Sequence, residues 1–168
     1  MARLLVIHHS PTRGVAALTE AALAGTRDDS IEGVQVVERR ALDFATGAAS
    51  HEDLLAADGY LIGTTANFGY MSGALKHVFD STFLQIGGAL DASGGGTESD
   101  GATRGRPFGL YVHGRYDTTG AVRSVLSIIG ALGWKQGFDI LEVMGDVTDG
   151  HRERAYELGG TLAALVAG

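Results

Sequence analysis

Short apolar runs alternate with longer helix-forming segments along the whole chain. Five runs of strand length occur, at residues 4–7, 34–37, 58–63, 108–112 and 138–143. The first is wholly apolar, which is typical of a strand buried on both faces of a parallel sheet. Strands that alternate with helices predict an open α/β sheet with right-handed crossovers and helices on both faces. Five such units are too few for an eight-stranded barrel of roughly 250 residues.

A helix-forming segment follows each of these runs. The first spans residues 15–24, with Gly25 as its expected C-cap. Ser50 is the expected N-cap of the second, with Asp53 at its third position. The other helices are expected at residues 72–83, from Thr118 or Thr119 to Leu132, and at 149–167. Because 168 residues is the size of one domain and no linker interrupts the pattern, we expect a single domain over residues 1–168.

The composition excludes several classes of protein. The net charge is −7, so phosphate backbones and anionic lipids are poor partners and nucleic acid is not expected. Cysteine is absent, which excludes disulfides, cysteine–zinc sites and a cysteine nucleophile. The histidines lack metal-binding spacing, so no metal is expected. No apolar run reaches the ~18–20 residues of a membrane span and no signal peptide is recognisable, so a cytoplasmic protein is expected.

Three predicted loops lie at the carboxyl ends of strands, where ligands bind in open α/β sheets. They span residues 8–14, 64–71 and 113–120 and are rich in small and hydrogen-bonding residues. The first offers hydroxyls, backbone amides and the positive end of a helix, a combination that binds phosphate. The residues expected to take part are His9, Ser10, Thr12, Arg13, Gly14 and Val15. The alternative is that Ser10 or Thr12 is an ordinary N-cap.

The second loop carries the most specific motif of the chain. Residues 63–73 read Gly-Thr-x-x-x-Phe-Gly-x-Met-Ser-Gly and precede a helix that reads Ala-Leu-Lys-His-Val-Phe-Asp. This window resembles the second flavin loop of flavodoxin-like NAD(P)H-dependent quinone and FMN reductases. Its marker residues are Phe68, Gly69, Met71, Ser72 and Gly73. The chain departs from the family pattern at Thr65, where that family usually has proline.

The resemblance implies a flavodoxin-like, doubly wound parallel sheet of five strands in the order 2-1-3-4-5, and one noncovalently bound FMN. In that family the second loop packs against one side of the isoalloxazine ring and offers backbone amides to its edge. The residues that would do so here are Thr64, Thr65, Ala66, Asn67, Phe68, Gly69 and Tyr70. The alternative for Phe68 and Tyr70 is ordinary half-buried packing.

The third loop lies beneath the flavin in the same family, which implies a role for His113, Gly114, Arg115 and Tyr116. Gly114 lets the backbone approach the ring closely, and Tyr116 can stack on a ring face. His113 and Arg115 can stabilise negative charge near the N1–C2=O edge of the flavin. The alternative for His113 is a strand-end histidine whose hydrogen bonds are made within the protein.

One further segment, residues 91–101, is glycine-rich and carries three acids. Glycines lose much conformational entropy in a regular element, so an irregular, mobile loop near the flavin entrance is expected. This loop is either a plain surface connection or a lid over a ligand.

The function that follows is that of an FMN-dependent oxidoreductase. It would accept hydride from NAD(P)H at flavin N5 and pass electrons to a quinone or a similar small-molecule acceptor. Since the flavin carries the chemistry, no catalytic side chain is expected, and the Gly-x-Ser-x-Gly motif of hydrolases is absent. The alternatives are a flavodoxin-type electron carrier with a redox-protein partner and a non-flavin binding module on the same fold. A homodimer is left open.

Overall fold

The computed structural model describes residues 1–97 and 100–168, so Glu98 and Ser99 of the glycine-rich segment lie outside the described residues. In chain order the described residues form β1 (Ala2–His8), α1 (Arg13–Thr26), β2 (Val34–Arg40), α2 (Asp43–Thr46), α3 (His51–Leu55), β3 (Gly59–Asn67), β4 (Tyr70–Met71), α4 (Gly73–Thr82), β5 (Ala89–Leu90), β6 (Gly96–Thr97), β7 (Pro107–Gly114), α5 (Thr119–Leu132), β8 (Lys135–Gln136), β9 (Leu141–Met144) and α6 (Asp149–Ala167). None of the helices in these two stretches has the length and apolar character needed to span a bilayer.

The main sheet contains seven of these strands. Its order is β2-β1-β3-β7-β8, all parallel, while β9 also pairs in parallel with β7 and β4 pairs antiparallel with β3. The flavodoxin-like order 2-1-3-4-5 is therefore confirmed, but the expected number of five strands is wrong. The fifth position is shared by β8, beside the first two residues of β7, and β9, beside the last four. Between β8 and β9 the chain does not pair with β7. The strand predicted at residues 138–143 therefore begins only at Leu141.

Successive residues of β1 enter two different hydrophobic cores. Leu4 and Val6 pack with apolar residues of α1 and α6, whereas Leu5 and Ile7 pack with apolar residues of α2, α3, α4 and α5. Because neighbouring strand residues point to opposite faces, a strand covered on both sides needs apolar residues throughout. The expected helices on both faces of the sheet are thereby confirmed.

The helices α1 and α6 cross so closely that their backbones touch. A Cβ atom on Gly25 would lie 2.0 Å from the carbonyl oxygen of Tyr156, and one on Gly159 would lie 2.0 Å from that of Ala22. Gly25 is therefore inside α1, which continues to Thr26, and the expectation that Gly25 is a C-cap is wrong. Its lack of a side chain serves the close approach to α6 rather than a helix end.

Two other helix boundaries agree with the sequence. Ser50 is the N-cap of α3, and a capping box joins it to Asp53, whose carboxylate accepts a hydrogen bond from the Ser50 amide at 3.0 Å. The last helix spans residues 149–167 as expected. Thr118 precedes α5, but its hydroxyl donates to Glu142 at 2.7 Å and makes no capping hydrogen bond. The short helix α2 has no counterpart in the sequence prediction.

Residues 91–97 of segment 91–101 form the turn and the second strand of a short hairpin, where an irregular loop was expected. The strands β5 and β6 pair antiparallel, and the Asp91 carboxylate accepts hydrogen bonds from the amides of Ser93 at 2.8 Å and Gly95 at 2.9 Å. These bonds offset the entropy that the glycines lose on ordering. Two described residues of the hairpin, Leu90 and Gly94, line a groove together with residues of α4 and α5.

We expect Gly25→Ala to destabilise the protein by about 1–3 kcal/mol, because the added methyl group would overlap the Tyr156 carbonyl. Gly130 is the matched control, since it lies in α5 with nothing within 4 Å of an added Cβ. Gly130→Ala should stabilise the protein by roughly 0.5–1 kcal/mol through helix propensity alone. Urea unfolding of both variants measures the two signs. Equal changes in the free energy of unfolding for Gly25→Ala and Gly130→Ala would show that α1 and α6 leave room for a methyl group at Gly25.

A buried tyrosine, Tyr60, packs in the core formed with α2, α3, α4 and α5, on the other face of the sheet from α1 and α6. The Tyr60 ring stacks on Trp134 with ring centroids 3.8 Å apart, and its hydroxyl donates to the Leu54 carbonyl at 2.8 Å. The Arg106 guanidinium donates to the same hydroxyl at 3.0 Å. Burial raises the pKa of Tyr60 to about 12, since the phenolate would lose its hydration.

This pKa predicts a loss of stability at alkaline pH. An unfolded tyrosine releases its proton near pH 10, whereas folded Tyr60 keeps it to about pH 12, so the free energy of unfolding falls as pH rises through this interval. In Tyr60→Phe the fall should be shallower, although buried Tyr111, whose pKa is also raised by burial, still contributes. Urea unfolding from pH 8 to pH 11.5 measures both slopes. Identical slopes would contradict the assignment.

Candidate functional site

A cleft of about 640 Å³ opens where β3, β7 and β9 end and α1 begins. Its volume falls within the range of roughly 300–1,000 Å³ that is typical of small-molecule sites. The cleft brings together parts of all three loops predicted from the sequence. The predicted residues that line it are Thr12, Arg13, Gly14, Thr65, Ala66, Asn67, His113, Gly114 and Arg115.

The other predicted residues do not line this cleft: they are His9, Ser10, Val15, Thr64, Phe68, Gly69, Tyr70 and Tyr116. Sequence reasoning also missed a fourth wall, which is formed by Gly145, Asp146, Val147 and Arg152. The signal for it was available, because the last strand of a parallel sheet ends at the same edge as the others.

The first wall of the cleft is the beginning of α1. Thr12 is the N-cap residue of this helix by backbone conformation, but its side chain makes no capping hydrogen bond. The first turn contains no acidic residue, so the positive end of the helix dipole is not offset within its own first turn. The alternative that Thr12 is an ordinary side-chain cap is therefore wrong, and the hydroxyl is left for another acceptor or donor.

Ser10 turns inward to a chain of hydrogen bonds beneath the cleft. Its hydroxyl lies 2.9 Å from His8 Nδ1 and 2.7 Å from the Thr19 hydroxyl, which in turn lies 2.7 Å from the Tyr111 hydroxyl. Thr19 donates its proton to the Val15 carbonyl at 3.0 Å. The Ser10 hydroxyl is therefore within hydrogen-bond distance of two side chains of the fold, and both compete with a phosphate for it.

The second wall belongs to a strand rather than a loop, because β3 continues to Asn67. Thr64 and Thr65 therefore point to opposite faces of the sheet. The Thr64 hydroxyl donates to the Thr65 carbonyl at 2.9 Å and accepts from the Ser72 amide at 3.0 Å. Thr65 lines the cleft, and its hydroxyl is buried and has no hydrogen-bond partner among the residues that the structure describes. A buried polar group of this kind costs about 1–3 kcal/mol unless a ligand or water satisfies it.

The turn after β3 exposes aromatic side chains. Phe68 and Gly69 both have positive φ, 50° and 73°, as a two-residue hairpin turn between β3 and β4 requires. Phe68 is fully exposed, and Tyr70 is 44% exposed, so ordinary half-buried packing does not describe Phe68. The Gly69 carbonyl lies against Gly120, where an added Cβ would be 2.0 Å away, and this contact holds the turn against the start of α5.

The third wall is the end of β7, which includes His113 and Gly114. The Nε2–H of His113 donates to the Gly145 carbonyl at 2.7 Å, and its ring lies against Gly14, where a Cβ would approach within 2.3 Å. The alternative of a histidine bonded within the protein is correct for Nε2, although the side chain also lines the cleft. His113 therefore joins the start of α1 to the fourth wall.

The charges around the cleft are mostly positive. Of the described residues, Arg13, Arg115 and Arg152 line it together with one acid, Asp146. Arg115 donates to Asp146 at 2.9 Å, but both side chains are largely exposed, so water weakens this ion pair. Nearby, burial and the adjacent His8 lower the pKa of His9, which favours a neutral imidazole there.

The two threonines of β3 provide a test of this geometry. Thr65→Val should raise the free energy of unfolding by about 1 kcal/mol, because it removes a buried hydroxyl that has no partner. Thr64→Val should lower it by about 1–3 kcal/mol, because the Ser72 amide loses its acceptor. Thermal and urea unfolding of the ligand-free protein measure both changes. A loss of stability in Thr65→Val would mean that its hydroxyl has a partner within the fold.

The strand order and the helices on both faces of the sheet define a flavodoxin-like fold. A solved archaeal flavodoxin superposes with a TM-score of 0.75 over 98% of both chains, at 15% identity. The WrbA-like flavodoxin protein of Agrobacterium tumefaciens superposes with a TM-score of 0.68 over 99% of this chain and 98% of that one, at 15% identity. At such low identity these likenesses show the shared fold.

Two curated relatives are similar to this chain in amino-acid sequence. NAD(P)H dehydrogenase (quinone) of Acidithiobacillus ferrooxidans is 34% identical over 49% of this chain and 48% of its own. The flavodoxin of Aquifex aeolicus is 33% identical over 54% of this chain and 45% of its own. The matches thus span about half the length of each relative. No family model matches the chain. The resemblance to flavodoxins and flavodoxin-like quinone reductases is confirmed at this level.

Proposed function

We propose that this chain binds FMN noncovalently at the cleft and uses it to pass electrons from NAD(P)H to a quinone or a similar small acceptor. The observation that carries the proposal is that one cleft joins the uncapped start of α1, the unpartnered hydroxyl of Thr65 and a surplus of arginine. These groups fit a ligand with an anionic phosphate end and a polar ring edge.

Two groups of residues would hold the two ends of FMN. Thr12, Arg13 and Gly14 would bind the phosphate through a hydroxyl, a guanidinium and the first backbone amides of α1. Thr65 and Asn67 would bind the polar edge of the ring. Exposed aromatic side chains stand near these walls and could cover a ring face: they are Phe68, Tyr70 and Tyr116.

The oxidoreductase activity rests on the motif of residues 63–73 and on the likeness to a quinone dehydrogenase. Bound FMN would supply the hydride-accepting chemistry, and the protein would bind it, orient it and shield one face of the ring from water. No acidic or nucleophilic side chain is needed for this reaction. NAD(P)H and the acceptor would reach the ring from its exposed side.

A second candidate is an electron carrier that exchanges electrons with a redox protein. Its support is the likeness to flavodoxins over nearly the whole chain. The cleft also contains a negative charge that the sequence analysis did not include, because Asp146 lines it and contacts Arg115, one of the two residues expected to stabilise negative charge at the flavin. Less electrostatic support for the reduced flavin suits a low-potential carrier.

The purified protein with added FMN should oxidise NADH or NADPH when a benzoquinone is present, measured by absorbance at 340 nm under anaerobic conditions. The matched control is the same mixture without protein. Flavin binding without pyridine-nucleotide oxidation would favour the electron carrier. Flavin binding is measured by the quenching of flavin fluorescence during titration with FMN. If no binding is seen, the cofactor proposal itself is refuted.

Thr65→Val should weaken FMN binding by roughly two- to tenfold, which corresponds to one neutral hydrogen bond of about 0.5–1.5 kcal/mol. Because the same substitution is expected to stabilise the free protein, unfolding cannot account for weaker binding. An unchanged dissociation constant would place the ring edge away from Thr65.

A further inference from the structure

Most of the fourth wall of the cleft is the connection between β9 and α6. This connection spans residues 145–148, and its first three residues line the cleft. Its beginning is bonded to β7, because the Gly145 amide donates to the Gly114 carbonyl at 2.9 Å and the Gly145 carbonyl accepts from His113 Nε2 at 2.7 Å. Its other end is held by the start of α6.

A capping box that contains a histidine forms the start of α6. The Thr148 hydroxyl accepts a hydrogen bond from the His151 amide at 3.3 Å, and His151 Nδ1 accepts one from the Thr148 amide at 3.1 Å. A capping box ordinarily has glutamate or glutamine in the place of His151. The box of α3 has a carboxylate, that of Asp53, which accepts from the Ser50 amide. A carboxylate remains an acceptor between pH 5 and pH 8, whereas an imidazole does so only while Nδ1 carries no proton.

Protonation of His151 would turn this acceptor into a donor. In the imidazolium both ring nitrogens carry hydrogen, so Nδ1–H would face the Thr148 N–H and the bond between them would be lost. The charged ring would also stand in the first turn of α6, where the positive end of the helix dipole disfavours a cation. Acid therefore weakens the start of α6.

His113, at the other end of the connection, responds differently to acid. Its Nε2–H donates to the Gly145 carbonyl, and this nitrogen keeps its hydrogen in the imidazolium. Acid thus releases the connection from α6 but leaves it bonded to β7.

The charges around the start of α6 are of both signs. Asp149 in its first turn pairs with Arg152 at 3.0 Å, and Asp146 in the connection pairs with Arg115 at 2.9 Å. The described residues of the adjoining cleft that carry or can acquire a charge are Arg13, His113, Arg115, Asp146 and Arg152. Because the two ion pairs sum to zero charge, the lost hydrogen bond decides the effect of protonation.

We propose that His151 makes the fourth wall of the cleft sensitive to pH: the neutral ring holds the connection to α6, and the protonated ring releases it. His151 is not among the described residues that line the cleft, so it is a positioning residue that acts through the connection. The consequence for FMN binding rests on the proposed function, whereas the change at the start of α6 does not.

The Thr148 amide reports the bond directly. In the ligand-free, nitrogen-15-labelled protein at pH 7.5, a scalar coupling across the hydrogen bond should join the Thr148 amide nitrogen to His151 Nδ1. The coupling should disappear, and the hydrogen-exchange protection of the Thr148 amide should fall, once the ring nitrogen shifts report the imidazolium. The Ser50 amide, bonded to Asp53, is the matched control and should keep its protection. A coupling that is absent at pH 7.5, or protection that survives ring protonation, would overturn the proposal.

Variants of His151 measure the effect on stability. His151→Gln keeps an acceptor that does not titrate, and His151→Ala removes the acceptor at every pH. From pH 7.5 to pH 5 the equilibrium constant for unfolding in urea should rise about three- to tenfold more in the wild-type protein than in either variant, as expected for a lost capping bond. At pH 7.5 His151→Ala should be less stable than His151→Gln.

Two other histidines define the background of this measurement. His77→Gln is the control, because His77 is exposed on α4, and it should leave the wild-type pH dependence unchanged. The lowered pKa of His9 adds equally to the pH dependence of every variant and cancels in the comparison. Equal pH dependence in the wild-type protein and His151→Gln would overturn the proposal.

Titration with FMN separates failure of this pH response from failure of the proposed function. The dissociation constant of FMN should rise at least threefold more between pH 7.5 and pH 5 in the wild-type protein than in His151→Gln. The ionisation of the FMN phosphate is common to both proteins and cancels. A protein that shows the changes at α6 but binds no FMN would refute the FMN proposal and retain the pH response. FMN binding with the same pH dependence in both proteins would refute the control of the cleft by His151 and retain the FMN proposal.

Discussion

The contact between the backbones of α1 and α6 determines where the charged groups of the cleft stand. At Gly25 and Gly159 each helix lies so close to a carbonyl of the other that a single methyl group would overlap it. Both helices begin at the carboxyl edge of the sheet, and their first turns contribute Arg13 and Arg152 to one cavity. A wider crossing would separate these two guanidinium groups, because a helix moves as a rigid unit.

The opposite side of the cleft depends on β3 and β7, which are neighbours in the sheet. Their pairing places Thr65 directly beside His113. His113 then reaches both Gly14 and the Gly145 carbonyl, so a single imidazole connects three walls. The unsatisfied hydroxyl of Thr65 occurs at the position where the chain departs from the proline of the family it resembles. Energy stored in an unpaired polar group is recovered when a ligand binds, which is typical of functional sites.

Much of the fold could be predicted because its signals are local. The apolar run of β1 indicated a strand with two covered faces, and Ser50 with Asp53 indicated a helix start. The errors have physical causes outside the local pattern. Gly25 follows a helix-forming segment, which in the sequence is the pattern of a C-cap glycine. The sequence does not show that a carbonyl of another helix packs against this glycine. The hairpin at Asp91 escaped prediction because a carboxylate bonded to two amides offsets the entropy of the glycines around it.

The sequence by itself determined the class of fold and the three loops that meet at one edge of the sheet, because periodicity and strand ends are properties of neighbouring residues. The order of the strands followed from the resemblance of residues 63–73 to a known family. The tertiary structure decided which side chains face the cleft. Thr64 and Thr65 are adjacent and chemically identical, yet one is bonded inside the fold and the other is left without a partner. Ser10 lies within hydrogen-bond distance of Thr19, and Arg152 enters the cleft from a helix 140 residues farther along the chain than Thr12. Such outcomes depend on partners brought together only by packing, so no local pattern records them.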